Sequence, residues 1–368
     1  MSGLEPLFTP FSGGHLSVPN RLVMAPMTRW FSPGEVPGRD VAAYYRRRAE
    51  HGVGLIITEG TTIDHPVASH SLRIPAFHGA GLDGWRRVVE EVHEAGGKIA
   101  PQIWHVGAMR HPKQDLPNPH LPPMSPSGLH KPGASASGQE MTAKDIADIA
   151  DAFGKAAYNA RRLGFDGVEI HGAHGYILDQ FLWEPLNRRK DAYGGTAVER
   201  TRFAAEIVAA VRRAVGPDFP LILRISQWKQ QDYTARLATD PEALGAILKP
   251  LTEAGVDIYH CSQRRYWETE FESSALNLAG WVKRLTGRPT ITVGSVGLSA
   301  PLSVTDIGDE AGTDDDLQPL ADAVARGDYD LVAVGRALIG DAEWVDKVRE
   351  GRFSELRRFD RSALEELI

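Results

Sequence analysis

Eight times along the chain a short apolar run gives way to a stretch of helical periodicity. The runs are LVMAPM (22–27), LIITEG (55–60), IAPQIW (99–104), GVEIHG (167–172), PLILRIS (220–226), DIYHCS (257–262), TITVGSV (290–296) and DLVAVGR (330–336). Helical stretches fall at 40–51, 81–95, 142–163, 197–215, 240–254, 277–286, 317–326 and 341–350. Several open on good capping residues, such as Thr142 or Asp240-Pro241, and several end at glycine. Strict alternation of this kind demands a parallel sheet, because parallel neighbours need a crossover long enough to hold a helix. Eight units are the number that closes. The rival is an open doubly wound sheet, which would carry a glycine-rich turn after its first strand. Here that turn reads APMTRWFSPG, without G-x-G-x-x-G. The expected fold is therefore α/β: an eight-stranded parallel β/α (TIM) barrel, one domain over residues 1–368.

Three segments lie outside the repeat. Residues 1–20 read as an N-terminal β-hairpin capping the barrel floor. Residues 105–141, rich in Pro, Gly, Ser and His, form a long loop after strand three. It leaves the C-terminal ends of the strands, where barrel active sites form. Residues 263–276 leave strand six in the same direction.

Composition narrows the function. A net charge of −7 speaks against nucleic acid as a partner. No run of 18 apolar residues is present, and the first residues lack a signal-peptide pattern, so no membrane partner is expected. The one cysteine, Cys261, allows neither an internal disulfide nor a Cys-ligated cluster. A cytoplasmic setting and a small-molecule substrate follow as expectations.

Side chains alternate across a strand, so each strand tip sorts into two faces. Gln102 and Trp104 share one, as do Glu169 and His171, and Arg224 and Ser226. With the apolar phase under the helices, Thr28, Gln102, His171 and Arg224 converge inward from four strands. Buried polar groups need partners, so this points to a polar ligand or to an internally satisfied network, with Glu169 paired to Arg224. A metal hydrolase would need ligands on several tips, and strand one offers neither histidine nor acid. A Schiff-base aldolase needs a strand lysine. None exists, and Lys229 falls in a loop. Phosphate fits better. VGSVG (293–297) and VGRAL (334–338) end strands seven and eight, the usual phosphate loops of barrels, and Arg336 adds a forked cation.

NRLVMAPMTR (20–29), TEG (58–60), PQIWHVG (101–107), EIHGAHGYILDQFLWEPLNRRKDAYGG (169–195), LRIS (223–226) and LVAVGRALIGDAEW (331–344) resemble the Old Yellow Enzyme family of FMN-dependent ene-reductases. The resemblance covers almost the whole chain. It implies FMN at the barrel mouth, reduced by NADH or NADPH, with hydride passing to the β-carbon of an activated alkene. Pro26, Met27 and Thr28 would lie along the flavin, with Gly60, Gln102 and His171 in contact with it. Arg224 would face its N1/O2 side, and Gly294, Ser295, Gly335 and Arg336 would hold its phosphate. His171 and His174 would polarise the acceptor, and Tyr176 would give the proton. Trp30, Trp104, Trp228, Tyr266 and Trp267 are candidate substrate walls, or else loop anchors. Thr28 stands where a branch of the family has cysteine. Loops 227–239 and 263–276 do not align with the best-known members. A flavin-dependent N-demethylase or desaturase and a non-catalytic barrel binding a phosphorylated ligand remain alternatives, and a homodimer is left open.

Overall fold

A computed structural model describes residues 3–111, 115–272, 274–298 and 314–368. Eight parallel strands close into a barrel: β1 (Leu22–Met24), β2 (Leu55–Thr62), β3 (Ile99–Trp104), β4 (Val168–His171), β5 (Leu221–Ser226), β6 (Ile258–Ser262), β7 (Thr290–Val293) and β8 (Leu331–Val334). They run around the barrel in chain order, and β8 closes on β1 with Val332 opposite Leu22. The crossovers carry helices α1 (Arg39–Glu50), α2 (Gly81–Glu94), α3 (Ala143–Leu163), α4 (Arg202–Val215), α5 (Pro241–Ala254), α6 (Leu278–Thr286) and α7 (Asp314–Arg326). A short helix, Arg336–Gly340, and α8 (Trp344–Arg349) follow β8. Thr142 caps α3 in a reciprocal box with Asp145, and Asp240 caps α5 ahead of Pro241. The barrel expected from the alternation is thus the fold observed.

The two strand faces separate as their period requires. Ile56, Ile103, Val168, Ile170, Leu223 and Cys261 point out, into the layer shared with the helices. Val23, Leu55, Ile57, Ala100, Ile222, Ile258, Ile291 and Leu331 point in, at the lower end. The hairpin Phe11–Gly13/Leu16–Val18 closes this inner cluster with Phe11, Leu16 and Val18, so it plugs the floor as expected. Its turn glycine, Gly14, has φ +56°, and a Cβ there would lie 2.6 Å from Ile258 Cγ1.

Several strands end earlier than their apolar runs suggest. β1 stops at Met24, which leaves Pro26, Met27 and Thr28 in the loop above it. β7 stops at Val293 and β8 at Val334, which frees Gly294, Ser295 and Gly335 for the rim. In the 105–141 loop, Met124–Ser125 pairs with Gln139–Glu140. The loop is organised by Arg110, which bonds the carbonyls of Ser69 (3.1 Å), Leu121 (2.7 Å) and Asn118 (3.0 Å). Residues 112–114 of that loop lie outside the described residues.

If the hairpin plugs the barrel, Phe11→Ala should lower stability by about 3 kcal/mol through lost burial and a residual cavity. The thermal midpoint measures it, and an unchanged midpoint would show that the plug carries no weight.

Candidate active site

Above the apolar floor the same inward phase turns polar. Gln102 lies opposite Glu169, His171 opposite Arg224, and Arg224 opposite His260. Gln102 Nε2 donates to Glu169 Oε1 at 2.7 Å, and Glu169 Oε2 meets His260 Nδ1 at 2.7 Å. All three side chains are buried. This corrects the expected Glu169–Arg224 pair. The stagger of the barrel sets Glu169 against Ile222, so Arg224 sits one level nearer the mouth, beside His171. Both carboxylate oxygens are already taken. Arg224 Nε and His260 Nε2 are buried with no hydrogen-bond partner among the described residues.

β4 ends at His171, and the turn after it carries His174 at φ +64°. That strained backbone is held by the His174 N–H, which donates to Ser226 Oγ at 3.0 Å. Burial, and next the charge of Arg224, push both histidines well below their ordinary pKa, so both are neutral. His171 Nδ1 accepts the Ala173 N–H at 3.3 Å, so its proton is on Nε2. His174 Nε2 meets Ser262 Oγ at 2.8 Å, which leaves Nδ1 for a ligand.

Tyr176 packs edge-on against Trp104 (ring centroids 4.7 Å apart) and His171 (4.8 Å). Burial pushes its phenol up to about 12. Its oxygen accepts from Gln230 Nε2 at 2.8 Å. Trp228 stacks on His174 at 4.3 Å and donates to Ser262 O at 3.1 Å. Gly60 makes room for this cluster, since a Cβ there would lie 2.4 Å from Trp104 Cε3.

The rim is built from the loops of β7, β8 and β1. Gly294 has φ +153°, and a Cβ there would lie 2.7 Å from Gln263 O. Ser295 has φ +54° and donates Oγ–H to Arg264 O at 3.0 Å. A Cβ on Gly335 would touch Met27 Sδ, at 3.5 Å, so the β8 rim and the β1 loop lie side by side. Arg336 starts the helix after β8. Burial, and then its neighbour Arg264, bring it down to about 10. The Arg264 guanidinium lies over the Tyr233 ring at 4.1 Å and the Trp228 ring at 5.8 Å. Thr28 is half-buried, and the next residue, Arg29, donates its N–H to Glu59 Oε2 at 2.9 Å.

The sequence-derived candidates therefore divide. Gln102, Trp104, His171, His174, Tyr176, Arg224 and Trp228 form one cluster. Pro26, Met27, Thr28, Gly294, Ser295, Gly335 and Arg336 follow the ends of β1, β7 and β8 on the same rim of the barrel. Trp30 and Trp267 are about half exposed, and Tyr266 is buried in the outer core with its N–H on Gly294 O. None of these three has a ring contact with the histidines among the described residues. His260, Ser262, Gln230 and Arg264 escaped the sequence reading. His260 and Ser262 follow from applying strand alternation to β6. No local pattern marks the other two.

Lys229, fully buried, pairs with buried Asp179 at 2.7 Å and so pins the loop after β5 onto the short helix Ile177–Leu182 that follows β4.

A barrel with a polar mouth and glycine-cut loops after β7 and β8 has the form of barrels that hold a phosphorylated ligand there. The family model described as NADH:flavin oxidoreductase / NADH oxidase matches residues 6–355. An NADH oxidase of Thermoanaerobacter brockii is 34% identical over 97% of this chain, which spans about half (53%) of that relative's length. 12-Oxophytodienoate reductase 7 of Oryza sativa subsp. japonica is 34% identical over 94% of this chain and 88% of its own. The structure of morphinone reductase in complex with tetrahydroNAD superposes with a TM-score of 0.80 at 29% identity, covering 97% of this chain and 93% of that one. The chain belongs to this family, the Old Yellow Enzyme family of FMN-dependent oxidoreductases.

Two outcomes follow. Lys229→Met or Asp179→Asn alone strands a buried charge and should cost about 3–5 kcal/mol, whereas Lys229→Met/Asp179→Leu together should cost far less. Urea midpoints decide it, and additive losses would refute the pairing. Burial raises the Glu59 pKa from 4.5 to about 7. Between those values the folded chain keeps a proton that the unfolded chain has lost. Stability should therefore fall as pH rises through that window, by about 3 kcal/mol, and level off above it. Glu59→Gln should flatten the profile, as read by urea midpoints against pH.

Proposed function

We propose that the chain reduces electron-poor alkenes, with FMN at the barrel mouth and NADH or NADPH as reductant. The observation that carries this reading is the meeting of three donors in one buried cluster. Two neutral imidazoles, His171 and His174, stand beside a phenol, Tyr176, whose oxygen is already supplied with a donor.

The residues fit the cofactor. Among the described residues Arg224 Nε and His260 Nε2, neighbours on β5 and β6, have no hydrogen-bond partner, as the polar edge of a flavin would require. Arg224 would hold the N1/O2 edge, with Gln102, Gly60 and the Pro26–Thr28 segment along the ring. Gly294, Ser295, Gly335 and Arg336, now joined by Arg264, would hold the phosphate. When bound and reduced, FMN supplies a hydride.

The protein's own part is to bind, polarise and protonate. His171 Nε2–H and His174 Nδ1–H donate to the acceptor's activating oxygen, and these bonds strengthen as charge gathers there. A neutral imidazole still carries one N–H, so each ring keeps a donor for this oxygen while its other nitrogen accepts a bond from the protein. Tyr176 gives its proton to the α-carbon. With its pKa at about 12 it is protonated throughout the physiological range. Trp104 and Trp228 wall the pocket. The relatives' names support the substrate class: one reduces 12-oxophytodienoate, an unsaturated oxo acid, and morphinone reductase is seen with a nicotinamide derivative.

The test is anaerobic. The purified protein should be yellow and release FMN on denaturation. NAD(P)H should bleach it, and cyclohexenone or a nitroalkene should restore the colour. Bleaching of the oxidised protein by a methylated amine instead, with no response of the reduced protein to alkenes, would favour demethylation. A colourless protein that cannot be reconstituted with FMN would sink the reading. Tyr176→Phe should slow alkene reoxidation by on the order of 10²–10⁴, with a far smaller loss in flavin reduction, as followed by stopped-flow absorbance.

A further inference from the structure

The loop after β5, residues 227–239, is the part of the mouth that the family resemblance does not explain. It is stitched along the turn that carries His174 and Tyr176. Lys229 Nζ bonds Asp179 Oδ1 at 2.7 Å and Ser226 O at 3.0 Å. The Gln230 N–H donates to His174 O at 3.3 Å, and Gln231 Nε2 donates to Gly175 O at 3.1 Å. Gly175 has φ +80°. Between these anchors Gln230 reaches into the pocket and gives Nε2–H to Tyr176 Oη at 2.8 Å. Gln230 is otherwise exposed. A long polar side chain on the surface loses rotamer entropy when it is held in one direction, and here both flanking residues hold its backbone in place.

We propose that Gln230 is a positioning residue for proton delivery by Tyr176. A phenol has one hydrogen and two lone pairs. With the amide N–H on one lone pair, the hydroxyl hydrogen must turn away from Gln230, toward the pocket. As the proton leaves, the Tyr176 O–H bond breaks and a C–H bond forms at the α-carbon. The electron pair comes from the C=C bond, whose β-carbon takes hydride from the reduced flavin. The phenolate left behind is reprotonated by water. A hydrogen bond from the amide strengthens as that oxygen becomes charged, so its stabilisation is largest at the transition state. The proposal rests on the reading of Tyr176 as the proton donor.

The experiment is a double-mutant cycle on the FMN-loaded enzyme, following cyclohexenone reoxidation by stopped flow. Gln230→Met keeps the length and removes the donor, and should slow reoxidation by on the order of tenfold. In a Tyr176→Phe background the same change should do almost nothing, because the oxygen it serves is gone. Gln230→Glu should lose more when its carboxylate is ionised and recover toward low pH. Independently of turnover, the ¹³Cζ resonance of Tyr176 in the oxidised holoenzyme, assigned by its absence in Tyr176→Phe, should move in Gln230→Met. Equal losses in both backgrounds, or an unmoved resonance, would overturn the proposal. If Tyr176→Phe alone leaves reoxidation unchanged, the proton-donor reading fails and takes the proposal with it. A cycle that fails while Tyr176→Phe stays slow condemns the Gln230 role alone.

Discussion

Arg224 is a guanidinium held inside the barrel beside an acid whose two oxygens are already bonded. Its field reaches His171, His174, Tyr176 and His260. After burial itself, Arg224 is the next cause that holds His171 and His174 neutral, and it also lowers His260 and draws the Tyr176 phenol down from a still higher value. A cation placed there lets the pocket present neutral donors rather than charged ones. Its Nε has no hydrogen-bond partner among the described residues, which suits a ring that gathers charge on reduction.

The Gln102–Glu169–His260 chain supports that arrangement from below. Glu169 is fully buried, and an acid there would be costly without donors on both oxygens. Because Gln102 and His260 supply them, Glu169 tempers Arg224 through space without tying it down. Had the carboxylate met Arg224 directly, the guanidinium would have turned inward, away from the mouth. The stagger between β4 and β5, which sets His171 rather than Glu169 against Arg224, is what prevents this.

Above the strands, the loops after β4 and β5 act as one body. The buried Lys229–Asp179 pair, the Ser226 hydroxyl between the His174 N–H and Trp228 O, and the Gln230 and Gln231 amides join them. His174 and Tyr176 are thereby fixed by partners some fifty residues away in the chain, such as Lys229 and Ser226. That rigidity matters, because acid and acceptor groups must hold their geometry to be effective.

How much of this was legible differs by residue. Gln102, His171 and Arg224 are readable as inward groups because strand alternation is local and has period two. The same rule reaches His260, one strand further on. Gly294, Gly335 and Arg336 are readable because barrel rims reuse the loops after β7 and β8. Trp30, Tyr266 and Trp267 sit in loops where no period applies, and their sequence neighbourhood did not place them. Glu169's true partners, the tautomers of His171 and His174, and the reach of Gln230 to Tyr176 depend on inter-strand stagger and on burial. These are collective properties of the closed barrel. The order of residues along the chain thus determined the architecture and which side chains face inward. Only the tertiary structure decided which of them meet, because a contact between strands is set by the shear of the whole sheet, not by any one segment of it.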